Sequence, residues 1–213
     1  MIYGSRGART PIEAIGVLIS GRGSNLQALI DAAAAGRLGG TIAVVISNVS
    51  AAAGLQRARA AGIPARFIDH AGRAREVHDR ELIAVLRAHD VSLVCLAGYM
   101  RLLSAEFIAA FPTRILNVHP SLLPAFPGRD AARQAWEHGV QVTGATVHLV
   151  DEGLDSGPIL LQEAVAVADV DTPETLEARI LEAEHRIYPR AVRMVLDDAV
   201  RVAGRRVRRG PAA

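Results

Sequence analysis

Hydrophobic positions in this chain form short apolar runs that alternate with segments of helical periodicity. Short continuous apolar runs predict strands, and apolar residues at helical spacing predict helices. Strands are expected at residues 15–20, 42–47, 65–68, 91–97 and 114–118. Helices are expected at residues 26–35, 52–61, 75–89, 104–111 and 130–138. This alternation predicts a doubly wound α/β fold with a mostly parallel sheet.

The alternation of strand and helix patterns ends after residue 138. Two strand-like runs, 141–150 and 158–167, follow each other with no helical segment between them. They predict a carboxyl-terminal antiparallel hairpin, which makes the sheet mixed. A long final helix is expected to begin at Thr172, with Pro173 at its first position.

These elements predict a single domain over residues 13–202. Residues 1–12 are rich in Gly and Arg without periodicity, so a disordered extension is expected there. Residues 203–213 carry an arginine run and are expected to be a basic disordered tail.

Composition narrows the possible functions. The chain has 213 residues, enough for one domain with a large core. All 24 basic residues are arginine, which excludes Schiff-base lysines and the P-loop lysine. A net charge of +2 gives no reason to expect nucleic acid. With no signal-peptide pattern and no apolar run near the length of a spanning helix, we expect a cytoplasmic protein without membrane contact. The one cysteine, Cys95, is expected to be a buried, inert thiol.

A glycine-containing loop connects the first predicted strand to the first helix. Gly23, Ser24 and Asn25 lie where free backbone amides at a helix start favour an anion. Leu26 stands where a dinucleotide-binding loop has its third glycine. We therefore expect this loop to hold a phosphate monoester, the alternative being a turn with a purely structural role.

Asn117, His119 and Asp155 offer an amide, an imidazole and a carboxylate, which together can activate a small acyl group without a metal. Asn117 and His119 are two residues apart, so on a strand they point to the same face. The alternatives are buried structural histidines or a metal site that includes His148. The compact spacing of a metal motif is lacking, so no metal is expected.

Six segments, occurring in order, carry a resemblance to a known family. They are GRGSNLQ (21–27), LAGYMRLL (96–103), NVHPSLLPAFPG (117–128), GATVH (144–148), DEGLDSGP (151–158) and EHRIYP (184–189). Together they closely resemble the phosphoribosylglycinamide formyltransferase family of purine biosynthesis, over about residues 15–198.

This resemblance implies transfer of a formyl group from 10-formyltetrahydrofolate, the co-substrate, to the amine of phosphoribosylglycinamide. It implies that Asn117, His119 and Asp155 are catalytic. The implied ribonucleotide-binding residues are Gly23, Ser24, Asn25, Leu181, Glu182, Ala183 and Glu184. The implied folate-binding residues are Arg75, Met100, Arg101, Leu102, Leu103, Asn117, Asp151, Glu152, Gly153, Leu154 and Asp155.

The chemistry of these residue types agrees with that activity. Attack of an amine on a formamide carbon builds negative charge on oxygen, which Asn117 and protonated His119 are expected to stabilise. Asp155 is expected to favour the charged imidazole, which raises the pKa of His119 and makes it a general acid.

Three other functions are considered. Methionyl-tRNA formyltransferases share the SLLP segment (121–124) but carry an additional carboxyl-terminal domain for tRNA, which is not expected after the last predicted helix. Formyltetrahydrofolate hydrolases share the Asn, His and Asp residues but carry a preceding regulatory domain, for which the first strand near residue 14 is expected to leave no room. A folate- or nucleotide-binding module would keep the glycine loop without needing the catalytic residues. The expected partners are small molecules, with the protein a monomer or homodimer.

Overall fold

The computed structural model describes residues 13–210. The predicted extension at residues 1–12, and residues 211–213 of the predicted tail, lie outside this range. The strands are β1 (Glu13–Ile19), β2 (Gly40–Ser47), β3 (Ala65–Phe67), β4 (Val91–Leu96), β5 (Ile115–His119), β6 (Val142–Leu149), β7 (Ile159–Ala166), β8 (Val200–Ala203) and β9 (Arg206–Arg209). The helices are α1 (Ser24–Ala34), α2 (Ala53–Ala60), α3 (Arg75–Ala88), α4 (Ala105–Ala110), α5 (Ala131–Glu137) and α6 (Pro173–Leu196).

Seven strands form one sheet in the order β3-β2-β1-β4-β5-β6-β7. Strands β1 to β5 run parallel to one another, whereas β6 is antiparallel to both β5 and β7. This confirms the predicted doubly wound, mixed sheet with its hairpin. The chain leaves β1 towards β2 and β3 and then returns to β4 on the other side of β1. Ligands bind at such a reversal, beyond the carboxyl ends of the strands.

Helices cover both faces of this sheet. Along β1, Val17 and Ile19 pack into one hydrophobic cluster with α1 and α6, while Leu18 packs into a second cluster with α3 and α4. Successive strand residues point to opposite faces. Burial on both faces therefore explains why the central strands are apolar at consecutive positions.

The long final helix is confirmed as α6. Its N-cap Thr172 accepts a hydrogen bond from the Thr175 backbone N–H at 3.3 Å, and Pro173 occupies the first turn. Further along, the buried Tyr188 hydroxyl contacts the carbonyl oxygens of Leu96 on β4 and Leu116 on β5. These contacts fix α6 against the centre of the sheet.

The structure differs from the expected disordered tail. Residues 206–209 form β9, which pairs with β8 in a small antiparallel hairpin. Val200 and Val207 pack against the main core, while Arg201 and Arg208 are exposed. Gly204 adopts a φ of 61° at the tight turn. Valines alternate with arginines in these two strands, which makes the hairpin amphipathic. The number of arginines suggests a disordered tail, although the alternation is typical of a strand.

Candidate active site

The three predicted catalytic residues meet at the carboxyl end of β5. His119 Nδ1 lies 3.4 Å from Asp155 Oδ2, and Asn117 Nδ2 lies 3.4 Å from Asp155 Oδ1. Asn117 and His119 are on one face of β5, and Asp155 comes from the loop between β6 and β7. The antiparallel pairing of β6 with β5 returns the chain to this edge, so residues 36 positions apart become neighbours.

The carboxylate of Asp155 is held as an anion. Its Oδ2 accepts a hydrogen bond of 2.8 Å from the Gly128 N–H. Burial raises the pKa of Asp155, but contacts with His148 and Gly128, together with the nearby His119, outweigh burial and hold that pKa below its usual value. Asp155 therefore presents negative charge to both histidines at neutral pH.

The imidazole of His119 is 4% exposed and faces an oxygen on each side. Its Nε2 is 2.8 Å from the Phe126 carbonyl oxygen, and its Nδ1 faces Asp155. Both oxygens are acceptors, and only an imidazolium carries a proton on each nitrogen. The geometry is thus complementary to a positively charged His119.

His148 also belongs to this cluster, although sequence reasoning did not assign it to the site. On β6 it pairs directly with Asn117 on β5. Its Nε2 lies 3.2 Å from Asn117 Nδ2 and 3.6 Å from Asp155 Oδ1, and its Nδ1 lies 2.8 Å from the Leu149 carbonyl oxygen. The sequence signal was a histidine within an apolar strand, which alone cannot be distinguished from a structural core histidine.

A cleft with a volume of about 520 Å³ opens next to β5, although Asn117, His119 and Asp155 are not among its lining residues. The predicted phosphate loop forms one wall, where Gly23, Ser24 and Asn25 line the cleft at the start of α1. The first amides of a helix lack intrahelical partners and carry the positive end of its dipole. Val118 and Pro120, on either side of His119, line the same cleft.

The opposite wall is formed by α6. Of the predicted residues there, Leu181 and Glu184 line the cleft, while Ala183 lies in the core and Glu182 is exposed. The Glu184 carboxylate accepts a hydrogen bond of 2.8 Å from Asn25 Nδ2, which joins the two walls. Burial raises the pKa of Glu184 to about 7, although the Asn25 contact opposes this change.

The predicted folate-binding residues are distributed over several places. Met100 lines the first cleft and is 71% exposed. Leu103 is partly buried against the second core cluster, as is Val150. A second cleft, of about 500 Å³, lies between α4, residues 149–158 and the β8–β9 hairpin.

Asp151 and Glu152 line this second cleft. Of the other predicted folate residues, Leu102 and Leu154 are exposed, Arg101 is half-buried and Gly153 is exposed. Arg75, the first residue of α3, is exposed and lines neither cleft.

Residues 13–210 contain neither a candidate metal site nor a helix able to cross a membrane. No group of three or more His, Cys, Asp or Glu residues there has the arrangement of a metal site. None of the helices in that range combines the length and apolar character needed to cross a membrane.

Comparison with known proteins identifies close relatives. The chain matches the formyl transferase family over residues 13–192. Phosphoribosylglycinamide formyltransferase of Escherichia coli (strain K12) is 44% identical over 187 residues, which cover 87% of this chain and 88% of that enzyme. The crystal structure of glycinamide ribonucleotide transformylase 1 from Symbiobacterium toebii superimposes with a TM-score of 0.92 at 53% identity, covering 96% of this chain and 99% of that one.

Longer relatives contain this unit as a part. The trifunctional purine biosynthetic protein adenosine-3 of Bos taurus is 49% identical over 189 residues. The match covers 88% of this chain but 19% of that protein. The chain thus spans about a fifth of the length of that relative.

Proposed function

This chain belongs to the formyl transferase family, and from that premise we propose that it transfers a formyl group from 10-formyltetrahydrofolate to the amine of phosphoribosylglycinamide. The observation that carries the proposal is the meeting of Asn117, His119 and Asp155 next to Val118 and Pro120, which line the cleft formed by the glycine loop and α6. Donors for a developing oxyanion thus lie beside a site suited to a phosphorylated sugar.

The first cleft is proposed to bind the ribonucleotide. The phosphate would accept hydrogen bonds from the free amides at the start of α1, around Ser24 and Asn25. Glu184, on the facing wall, would accept hydrogen bonds from the ribose hydroxyls. A substrate held at these two points can extend its amine along Val118 and Pro120 towards His119.

Two arginines at the cleft add to its attraction for a phosphate. Arg22 lies 3.3 Å from Glu177, and Arg133 lies 3.1 Å from Glu174. All four residues line the cleft, and both ion pairs are exposed to solvent. Solvent-exposed ion pairs contribute little stabilising free energy, so a phosphate dianion can compete with the glutamates for either arginine.

The formyl folate is proposed to bind on the other side of Asn117. The segments that would contact it are residues 100–103, which follow β4, and residues 151–155, which follow β6 and include Asp155. Arg75 is proposed to meet the glutamate carboxylate of the folate, as the resemblance implies. In this proposal, the formyl carbon would lie between the first cleft and the folate-binding segments.

The proposed reaction uses Asn117, His119 and Asp155 together. When the folate binds, His119 Nε2–H would exchange the Phe126 carbonyl oxygen for the formyl oxygen. Asn117 Nδ2 would likewise exchange its contact with His148 Nε2 for the formyl oxygen, so that both donate to it as the amine attacks the formyl carbon. Asp155 stabilises the charged imidazole at 3.4 Å. A bond forms from the amine nitrogen to the formyl carbon, and the bond from that carbon to the folate nitrogen breaks. The amine loses one proton, and the leaving folate nitrogen gains one by way of His119.

One assay tests this function against its alternatives. Purified protein is mixed with 10-formyltetrahydrofolate, with or without phosphoribosylglycinamide, and deformylated folate is followed over time. We expect turnover that requires the ribonucleotide, with formylated glycinamide ribonucleotide detected by mass spectrometry. Turnover without the ribonucleotide would identify a hydrolase, and no turnover in either mixture would indicate a binding module.

A further inference from the structure

The segment after β4 is held by side chains from elsewhere in the fold. At one end, the Met100 N–H donates a hydrogen bond of 2.9 Å to the Ser20 hydroxyl. At the other, the Ser104 N–H donates one of 2.7 Å to the buried Asp79 carboxylate. Between these two anchors lie residues 100–103, the proposed folate segment. Ser20 is therefore hydrogen-bonded to the segment that is proposed to bind the folate.

Ser20 lies at the end of β1, where it lines the ribonucleotide cleft together with the phosphate loop. Its position alone suggests a ligand for phosphate. Its hydroxyl, however, donates a hydrogen bond of 2.6 Å to Asn48 Oδ1, and Asn48 is 5% exposed. A hydroxyl has one proton, so Ser20 has none left to donate to a phosphate.

The Ser20–Asn48 contact is itself supported from both sides. The Asn48 carbonyl oxygen lies 2.9 Å from His70 Nδ1, and the Ser20 N–H donates to the Gly98 carbonyl oxygen at 3.0 Å. A continuous chain of hydrogen bonds thus runs from the end of β2 across β1 to the segment after β4. Such a chain fixes the position of Met100 relative to the sheet.

We infer that Ser20 is a positioning residue for the formyl folate and not a ligand of the ribonucleotide, although it lies in the ribonucleotide cleft. This inference rests on the proposed function. Through Met100, the Ser20 hydroxyl holds residues 100–103 in place for the folate. The Ser20 hydroxyl therefore contributes to the affinity for the folate. A residue with a general structural role would affect the affinities for both substrates.

The test is a comparison of KM values in Ser20→Ala. Alanine leaves the Met100 N–H and the buried Asn48 Oδ1 without their partner, which loosens the segment. Loss of one such contact corresponds to about a tenfold change in affinity. We expect KM for 10-formyltetrahydrofolate to rise about tenfold. Met100 also lines the ribonucleotide cleft, but only with a mostly exposed side chain, so KM for the ribonucleotide should change by a smaller factor and kcat less than about twofold. Calorimetric titration with tetrahydrofolate, which cannot react, should show the same tenfold loss.

Matched variants make the result specific. Ser20→Thr keeps the hydroxyl and should restore the folate KM. Ser47→Ala removes a buried hydroxyl from the end of the neighbouring strand, where it bonds only to Val49 among the described residues, and should leave both KM values unchanged. If Ser20→Ala does not fold, Ser20→Cys serves instead, since a thiol is a weak donor and acceptor.

Two results would overturn the inference. The first is a rise in the ribonucleotide KM of Ser20→Ala with an unchanged folate KM, and the second is no change in either. Failure of the proposed function is distinct from both, because the parent protein would then show no ribonucleotide-dependent turnover.

Discussion

At the scale of single residues, the oxyanion donors Asn117 and His119 give the most direct prediction. Removing one such donor in other enzymes lowers kcat about 10²- to 10³-fold. We expect a loss of about this size for Asn117→Ala and at least as much for His119→Ala, since His119 is also the proposed general acid. Steady-state kinetics with both substrates measure it.

His89→Ala is a suitable control for these variants. His89 follows α3, where its Nδ1 lies 2.9 Å from the Val85 carbonyl oxygen, and it lines neither cleft. It should keep parental turnover. A correctly folded His119→Ala with parental kcat would show that the proposed mechanism is wrong.

Glu184 gives a prediction about stability and pH. Burial raises its pKa from 4.5 to about 7, so between these values the folded state binds more protons than the unfolded state. The stabilising contribution is fully present below about pH 4.5 and is lost as pH rises to about 7. Relative to Glu184→Gln, the free energy of unfolding of the parent should fall by up to about 1.4 kcal/mol per pH unit in this window.

Urea denaturation of both proteins at several pH values across the window measures this difference. Gln keeps an oxygen that can accept the hydrogen bond from Asn25, so the comparison isolates the proton. Parallel pH profiles of the two proteins would contradict the raised pKa of Glu184.

At the scale of elements, the two ends of α1 provide a matched pair of glycines. Gly23 precedes the helix with φ 73°, and Gly36 follows it with φ 66°. A Cβ at Gly23 would lie 2.6 Å from the Gly54 Cα, whereas one at Gly36 would have no atom within 4 Å. Of these two glycines, both have a positive φ, but only Gly23 lies so close to the backbone of Gly54 that a Cβ would clash.

Gly23→Ala is thus expected to shift the start of α1 and with it the amides proposed to bind phosphate. Misplacement of a binding group by about 1 Å can cost up to about 100-fold, so the ribonucleotide KM should rise about 10- to 100-fold. Gly36→Ala shares the unfavourable φ, which costs about 1–2 kcal/mol of stability, but should leave KM unchanged. Equal KM values in the two variants would argue against phosphate binding at this helix.

The order of the elements could be predicted because each strand and helix has a local signal. The alternation of apolar runs with helical segments gave β1 to β5 and the helices between them, and Thr172 with Pro173 marked the start of α6. The β8–β9 hairpin was not predicted, since its stability depends on packing of Val200 and Val207 against a core formed far away in sequence.

At the scale of the whole molecule, assembly of the site depends on topology. Asn117 and His119 could be grouped from their spacing on one strand, but Asp155 reaches them only because β6 runs antiparallel to β5. The same pairing brings in His148, whose position opposite Asn117 has no local sequence signal. Contacts of this kind follow from strand register, so the family resemblance, and not the spacing, pointed to Asp155.

The walls of the first cleft come from the loops after β1 and β4 and from α1, β5, α5 and α6, which span most of the described chain. A ligand bound there opposes unfolding of the whole domain. At about 100 times its Kd, a ligand adds about 2.7 kcal/mol to the free energy of unfolding. For a chain of this size that corresponds to a rise in Tm of about 5–10 °C. We expect phosphoribosylglycinamide to produce this rise in thermal unfolding followed by circular dichroism.

The dephosphorylated riboside is the matched ligand control. It keeps the ribose for Glu184 and the amine for His119 but lacks the group proposed to bind at Ser24 and Asn25. At the same concentration it should raise Tm far less in the parent protein. In Gly23→Ala the difference between the two ligands should shrink, because the phosphate amides are displaced there. Equal rises from both ligands in the parent would place the phosphate outside the glycine loop.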